Sequence, residues 1–250
     1  MMRILLALLL LISLPVWAEE VVLGLSKDEI AISADFDGSE ILIYGAVKRE
    51  EAIPEEPLHV IITVAGPSQP ITVRKKDRRF GIWVNTEAVE IDSAPSFYAV
   101  ATSQEWPVVI SEVEDLRYKI SVERAIRAVG VAADDPQRFT EALTRIRTSE
   151  LKYQQRDFEV NLREQTLFDT AIALPANLTE GAYKTRVFLT RNKEVISVYE
   201  TEIDVRKVGL ERWLYTMSRQ QPLLYGLMSL AIAIAAGWGA SAAFNLLRRG

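Results

Sequence analysis

The chain contains no cysteine and a single histidine, His59. The first absence excludes a disulfide framework, a thiolate metal site, an Fe–S cluster and a cysteine nucleophile. The second excludes a multi-histidine zinc site and bis-histidine haem ligation. His59 alone would need carboxylate help to hold a metal or act as a base, and a structural role on a strand accounts for it. A glycine-rich phosphate loop, Gly-x-Ser-x-Gly and His-Glu-x-x-His are missing as well. Carboxylates are plentiful, as in Glu50, Glu51, Glu55 and Glu56 and again in Glu112, Glu114 and Asp115. Their spacing implies no acid/base pair. No catalytic residue, cofactor site or metal site is therefore expected. Asn177-Leu178-Thr179 matches the N-glycosylation pattern, which matters only in a eukaryotic secretory setting. There is no internal repeat and no low-complexity tract.

What is present is a globular composition: 250 residues, 49% hydrophobic and 25% charged, with a net charge of −5. That excludes a mainly disordered chain and allows one large domain or two small ones. The apolar residues collect at the two ends. Residues 1–18 read as a signal peptide, with a basic start at Arg3, an apolar run Ile4–Leu14, a break at Pro15 and Val16-Trp17-Ala18 before a cut. The run is too short to span a bilayer, although an uncleaved N-terminal anchor is the alternative. Leu223–Leu247 has 25 residues without a charge. As a helix it would reach about 37 Å, enough to cross a bilayer of about 30 Å. Pro222 precedes it, where a missing N–H costs a helix nothing.

A cleaved signal peptide places the body of the chain outside the cytoplasm, with residues 248–250 as a short cytoplasmic tail. The local positive-inside balance is weaker guidance: Arg206, Lys207, Arg212 and Arg219 lie on the exported side. Long domains translocate with little regard to scattered charge. Removing Arg3, Arg248 and Arg249 from the 29 basic residues leaves 26 against 34 acidic ones, a charge of −8. An acidic exported domain argues against a nucleic-acid partner.

The exported part predicts a mainly β fold, an immunoglobulin-like sandwich with a helical insertion. In 19–110 the runs Ile41–Tyr44, Leu58–Val64, Ile71–Val73, Phe80–Val84 and Phe97–Ala101 are rich in β-branched and aromatic residues. Turn signals at Asp37-Gly38, Ala65-Gly66-Pro67, Lys76-Asp77 and Ser93-Ala94-Pro95 separate them. Alternation in Leu58, Val60, Ile62 and Val64 predicts one buried face, with His59, Ile61 and Thr63 on the other. The insertion covers 111–152. Asp135-Pro136 starts a helix over Pro136–Leu151, with Phe139, Leu143 and Ile146 on one face. Glu112–Val129 alternates like a strand in part, but its length favours helix. A second β region, 153–207, holds Phe158–Leu162, Phe168–Leu174, Ala182–Leu189 and Val195–Val205. It forms a second small domain or completes a sheet with the first region. Residues 208–221 read as an amphipathic juxtamembrane helix with Leu210, Trp213, Leu214 and Met217 on one face. The span, 222–247, follows.

Two features stand out as candidate contacts. In Arg74-Lys75-Lys76-Asp77-Arg78-Arg79 five of six residues are cationic on an acidic domain. The cluster could meet anionic lipid headgroups or an acidic patch on a partner; a solvated hairpin tip whose lysines discourage edge pairing is the simpler account. In the span, Ser229, Ala233, Gly237 and Ser241 recur every four residues, with Ala235, Gly239 and Ala243 in a row nearby. Such stripes let helices approach closely in lipid. Trp238, about 14 Å inside the span, could fill a groove on a neighbouring helix. The contact would be with a second copy or with another integral membrane protein.

Several blocks carry a family resemblance in order along nearly the whole chain. They are Gly66–Lys76 followed by Gly81-Ile82-Trp83-Val84-Asn85; Pro95–Ala101; Leu174-Pro175-Ala176-Asn177; Gly181-x-Tyr183; and Gln221–Gly226 with Gly237-Trp238. On these blocks the chain resembles an alphaproteobacterial family of transmembrane proteins. The resemblance implies a signal peptide, an exported domain and a C-terminal span, and transfers no catalytic residue. Members tend to be encoded near sulfite-exporter-type permeases, which implies an accessory role beside a transporter. Arg74, Lys75, Lys76, Arg78, Arg79 and Trp83 fall in the most recognisable block and are the candidate interaction surface. The expected function is thus a non-enzymatic accessory or binding subunit in the bacterial inner membrane, facing the periplasm. The alternatives are an exported hydrolase using carboxylates and an envelope scaffold or adhesion protein.

Overall fold

A computed structural model describes residues 19–27, 29–32, 38–49, 52–128, 136–208 and 210–249. The expected signal peptide lies outside the described residues, as do Glu50, Glu51, Asp37 and Asp135. The described chain is mainly β, as expected. Its strands are β1 (Glu20–Leu25), β2 (Glu29–Ile32), β3 (Ser39–Lys48), β4 (His59–Ala65), β5 (Ser68–Arg79), β6 (Ile82–Pro95), β7 (Tyr98–Thr102), β8 (Tyr153–Arg156), β9 (Asn161–Arg163), β10 (Leu167–Leu174), β11 (Gly181–Arg191) and β12 (Glu194–Lys207). The helices are α1 (Trp106–Val109), α2 (Glu112–Tyr118), α3 (Val122–Ala125), α4 (Pro136–Ser149), α5 (Leu210–Gln220) and α6 (Pro222–Arg249).

The two β stretches of the sequence share both main sheets. One sheet runs β1-β3-β10-β9 and the other β2-β12-β11-β4-β7-β8, while β5 and β6 pair with each other as a long ribbon, whose Ser93 also bridges to Arg127. β10 from the later stretch pairs with β3 from the earlier one, and β11 pairs with β4. Neither stretch could close its sheet alone. Alternating side chains build the core between the sheets: Val21, Ile41, Ile43, Phe168 and Ile172 from the first, and Val60, Ile62, Val64 and Val187 from the second. Gln154 bridges the layers, donating from Nε2 to the Ala173 carbonyl over 3.0 Å.

The helical insertion has a topological reason. β7 and β8 are parallel neighbours. Parallel neighbours need a crossover of a dozen or more residues, and here the crossover carries α1 to α4. These helices cover the outer face of the second sheet, which corrects the expected exposure beside β4. Ile61 and Thr63 are fully buried, because Val109, Ile120, Val122, Leu143 and Tyr153 gather with Ile61, Tyr98, Val100 and Phe188 in a second core. The described residues of Glu112–Val129 hold two short helices, α2 and α3, rather than one. α2 stops at Lys119, which takes a left-handed φ of 52°. Ser111 caps its start by accepting from the Glu114 N–H, and Asp115 accepts from the Ile120 and Ser121 N–H groups at its end. Arg186 pins this end to the sheet. Its guanidinium donates to the Tyr118 and Lys119 carbonyls at 2.8 and 3.1 Å and to the Tyr98 hydroxyl. A cation suits a helix C-terminus. The Tyr98 hydroxyl in turn donates to the Ile120 carbonyl over 2.7 Å.

Other boundaries also move. The expected turn at Lys76-Asp77 lies inside β5, and the expected strand Phe80–Val84 begins with the true turn, Phe80-Gly81. Ser93-Ala94-Pro95 ends β6 rather than separating strands. The expected strand Phe158–Leu162 starts with an exposed turn residue, Phe158 at φ 64°, between β8 and β9. α4 ends at Ser149, two residues before Leu151.

A buried ionic cluster ties five segments together. The Glu19 carboxylate accepts from Arg49 at 2.6 Å and from Arg191 at 3.0 and 3.1 Å, and all three side chains are under a tenth exposed. Arg49 also donates to the Thr166 hydroxyl and the Gln165 carbonyl, and Arg191 to the Glu56 carbonyl.

Two helices, α5 and α6, end the described chain. α5 is amphipathic, with Trp213 and Tyr215 exposed and Arg219 stacked 5.7 Å from the Tyr215 ring centre. In α6, Pro222–Ser241 form a 20-residue apolar stretch of mean hydropathy 1.7, none of it buried within the chain.

Removing Glu19 would leave two guanidinium groups buried face to face. Glu19→Ala should cost about 3–5 kcal/mol of stability, and adding Arg191→Met should restore part of it. Urea unfolding of the detergent-solubilised chain, followed by tryptophan fluorescence, measures both.

Candidate functional site

The candidate cations sit on the β5–β6 ribbon. Its base is anchored: Val89 and Ile91 are buried, with Ile71 and Val73 opposite them and partly buried. Beyond the base the ribbon is largely solvent-exposed, with α4 lying across a cleft from β5. Thr86 is an extra residue, since Lys76 pairs with Asn85 and Lys75 with Glu87. This bulge keeps both strands in phase with the core-facing side at the base while letting the distal part twist.

Directly paired residues share a face. One face therefore carries Lys75 opposite Glu87, Asp77 opposite Val84, and Arg79 opposite Ile82. The other carries Arg74 opposite Ala88, Lys76 opposite Asn85, and Arg78 opposite Trp83. The first face neutralises itself: Lys75 pairs with Glu87 at 2.9 Å, and Arg79 approaches Asp77 at 3.8 Å. The second offers no carboxylate at those positions. Among the described residues Arg74, Lys76 and Arg78 form no ion pair; the Arg78 side chain donates from Nε to the Gly81 carbonyl at 3.4 Å, and its backbone N–H donates to the Asp77 carboxylate. So the sequence cluster of five cations is two populations. The signal that separates them is parity along the strand combined with the partner register, which the sequence does not display.

At the tip, Phe80 and Gly81 take φ of 49° and 85°, a left-handed pair that closes a two-residue turn. Phe80 is fully exposed, and Ile82 and Trp83 are 65% and 69% exposed. Of these the sequence singles out only Trp83, because the turn expected at Lys76-Asp77 lies four residues before the true one.

A cleft of about 680 Å³ lies between β5 and α4. Val73, Phe139 and Ile146 give it an apolar floor, and Arg74, Lys75, Lys76, Arg138 and Arg145 surround it with cations against one carboxylate, Glu141. The basic character of the ribbon thus continues onto the helical layer.

The buried carboxylates among the described residues have structural partners. Glu19 holds Arg49 and Arg191, Glu114 accepts from the Val195 N–H and pairs with Arg117, and Asp115 caps α2. No group of three or more potential metal ligands occurs among the described residues. His59 opens β4 half-buried, and burial pulls its pKa below the ordinary 6.5. Tyr153, whose hydroxyl donates to the Pro95 carbonyl at 2.8 Å, is pushed up to about 12 by burial.

The span candidates, Ser229, Ala233, Gly237, Trp238, Gly239 and Ser241, all lie on α6. Trp238 is exposed, and a Cβ added at Gly237 or Gly239 would meet nothing within 4 Å.

A mainly β unit followed by an unburied apolar helix of membrane-crossing length, the one candidate span among the described residues, defines a membrane-associated protein. A family model described as "Putative transmembrane protein (Alph_Pro_TM)" matches residues 20–246. The chain belongs to this family. No curated protein matches it.

Two expectations follow. Phe80→Ser with Trp83→Ala should leave stability within about 0.5 kcal/mol, whereas Ile91→Ala at the ribbon base should cost about 2–5 kcal/mol, read by thermal unfolding. His59 binds a proton more readily unfolded than folded. Stability should therefore fall as pH drops below 6.5, and His59→Gln should flatten that slope in a pH series of melting curves.

Proposed function

We propose that the chain is a non-enzymatic accessory subunit of a membrane complex, with α6 as both anchor and docking element. The observation that carries this reading is the state of α6: an apolar helix with no buried side within its own chain and a stripe of small residues along it. Without a hydrophobic drive in lipid, helices associate by close packing, and Ser229, Ala233, Gly237 and Ser241 leave room for it. Trp238 supplies the matching protrusion. The partner would be an integral membrane protein, a permease in the reading that the family resemblance implies. The β unit would face the periplasm and the tail the cytoplasm, with the inner membrane between. The structural employment of Glu19, Glu114 and Asp115 supports a binding role over a carboxylate hydrolase.

Purification from native membranes in mild detergent, with mass spectrometry of what accompanies the chain, tests this. A stoichiometric multi-span protein is expected. Gly237→Leu with Gly239→Leu fits the open space around both positions, so it should leave the helix intact and reduce co-purification about tenfold or more. A chain that emerges alone or only with itself, or a complex that ignores the substitutions, defeats the reading.

A further inference from the structure

The tip of the β5–β6 ribbon departs from local preference in a way that its own fold does not repay. Two-residue turns with both central residues left-handed favour Asn, Asp or Gly. Here the first of them is Phe80, at φ 49° and fully exposed, so no packing within the chain offsets the strain. Ile82 and Trp83 add exposed apolar surface beside it. Behind this tip stand Arg74, Lys76 and Arg78 on one face, without ion-pair partners among the described residues, on a domain that is otherwise acidic. Alternate strand residues are about 6.8 Å apart, so the three cations form a line about 14 Å long that leads to the aromatic end.

We propose that the ribbon tip is a second membrane-contact element, in which Phe80, Ile82 and Trp83 enter the headgroup region of an anionic phospholipid bilayer while Arg74, Lys76 and Arg78 bind its phosphates. Aromatic rings suit the bilayer interface, and each cation near an anionic surface strengthens binding. An acidic protein surface would satisfy the three cations. It would need a matching pocket for a narrow, protruding apolar turn, whereas a fluid headgroup layer closes around such a point without one. The inference is independent of α6 and of any partner docked on it.

The absence of cysteine makes a single-label experiment clean. Ile82→Cys, carrying a nitrobenzoxadiazole fluorophore, keeps Phe80 and Trp83 in place. The full chain is held in nanodiscs, and lipids bearing nitroxide quenchers are placed either in the nanodisc or in vesicles titrated from outside. Phosphatidylglycerol-containing lipid should shift the emission to the blue and quench it in at least one of these arrangements. Neutralising Arg74, Lys76 and Arg78 together to Gln should weaken partitioning about 100-fold, near fivefold per cation. Neutralising Lys75 and Arg79, on the self-paired face, should change it less than twofold. Unchanged emission with phosphatidylglycerol in both arrangements overturns the proposal. So does equal quenching by phosphatidylcholine alone, or insensitivity to the triple neutralisation in a variant that melts like the parent. A photo-crosslinker at position 82 that captures a protein from native membranes, with the fluorophore unquenched by lipid, overturns it in favour of protein docking.

Discussion

The Glu19 carboxylate, buried between the guanidinium groups of Arg49 and Arg191, is the constraint on which the β unit depends. Three charges in a poorly hydrated place are tolerable only when each finds its hydrogen bonds. Arg49 finds two more in the turn before β10, and Arg191 one in the approach to β4. The cluster therefore joins the start of β1, the end of β3, the approach to β4, the β9–β10 turn and the end of β11. These segments are as much as 172 residues apart. An apolar trio of similar volume could pack as well, but it would not demand this one register of five chain segments.

With the sandwich closed, the second layer boundary follows from topology. β7 and β8 lie side by side and parallel, so the chain must leave and return along the same direction. The helical insertion is that return path, and the outer face of β4 becomes interior beneath it. Arg186 and the Tyr98 hydroxyl fix the helices there through the carbonyls that α2 leaves unpaired at its end. This explains why β4 is apolar on both faces. A run of Val60, Ile61, Ile62, Thr63 and Val64 is a strand buried on two sides.

The ribbon is the place where the fold spends residues on something other than its own stability. Its base belongs to the core and its bulge holds the strands in register. Its distal half buries little and presents apolar side chains to solvent. Sorting the charges by face turns a simple basic cluster into a self-neutralised side and an open side. The open side is continuous with the exposed aromatic turn, and the cleft beside α4 extends the basic surface onto the helices.

Read alone, the sequence determined the class of the chain: mainly β, with a late helical stretch and one apolar C-terminal helix. These properties are written in local periodicity and in an uncharged run of fixed length, and both survive any tertiary arrangement. The family blocks were legible for the same reason. It determined the position of the cationic cluster as well, because charge is a property of residues. Only the tertiary structure decided which strands pair, since β3 with β10 and β4 with β11 are matched by long-range register rather than by neighbouring pattern. Only it placed the turn at Phe80-Gly81, because an unusual left-handed Phe overrides the turn preference of Lys76-Asp77. The partner register then separated Arg74, Lys76 and Arg78 from Lys75 and Arg79, a division that depends on what lies across the strand and leaves no trace along it.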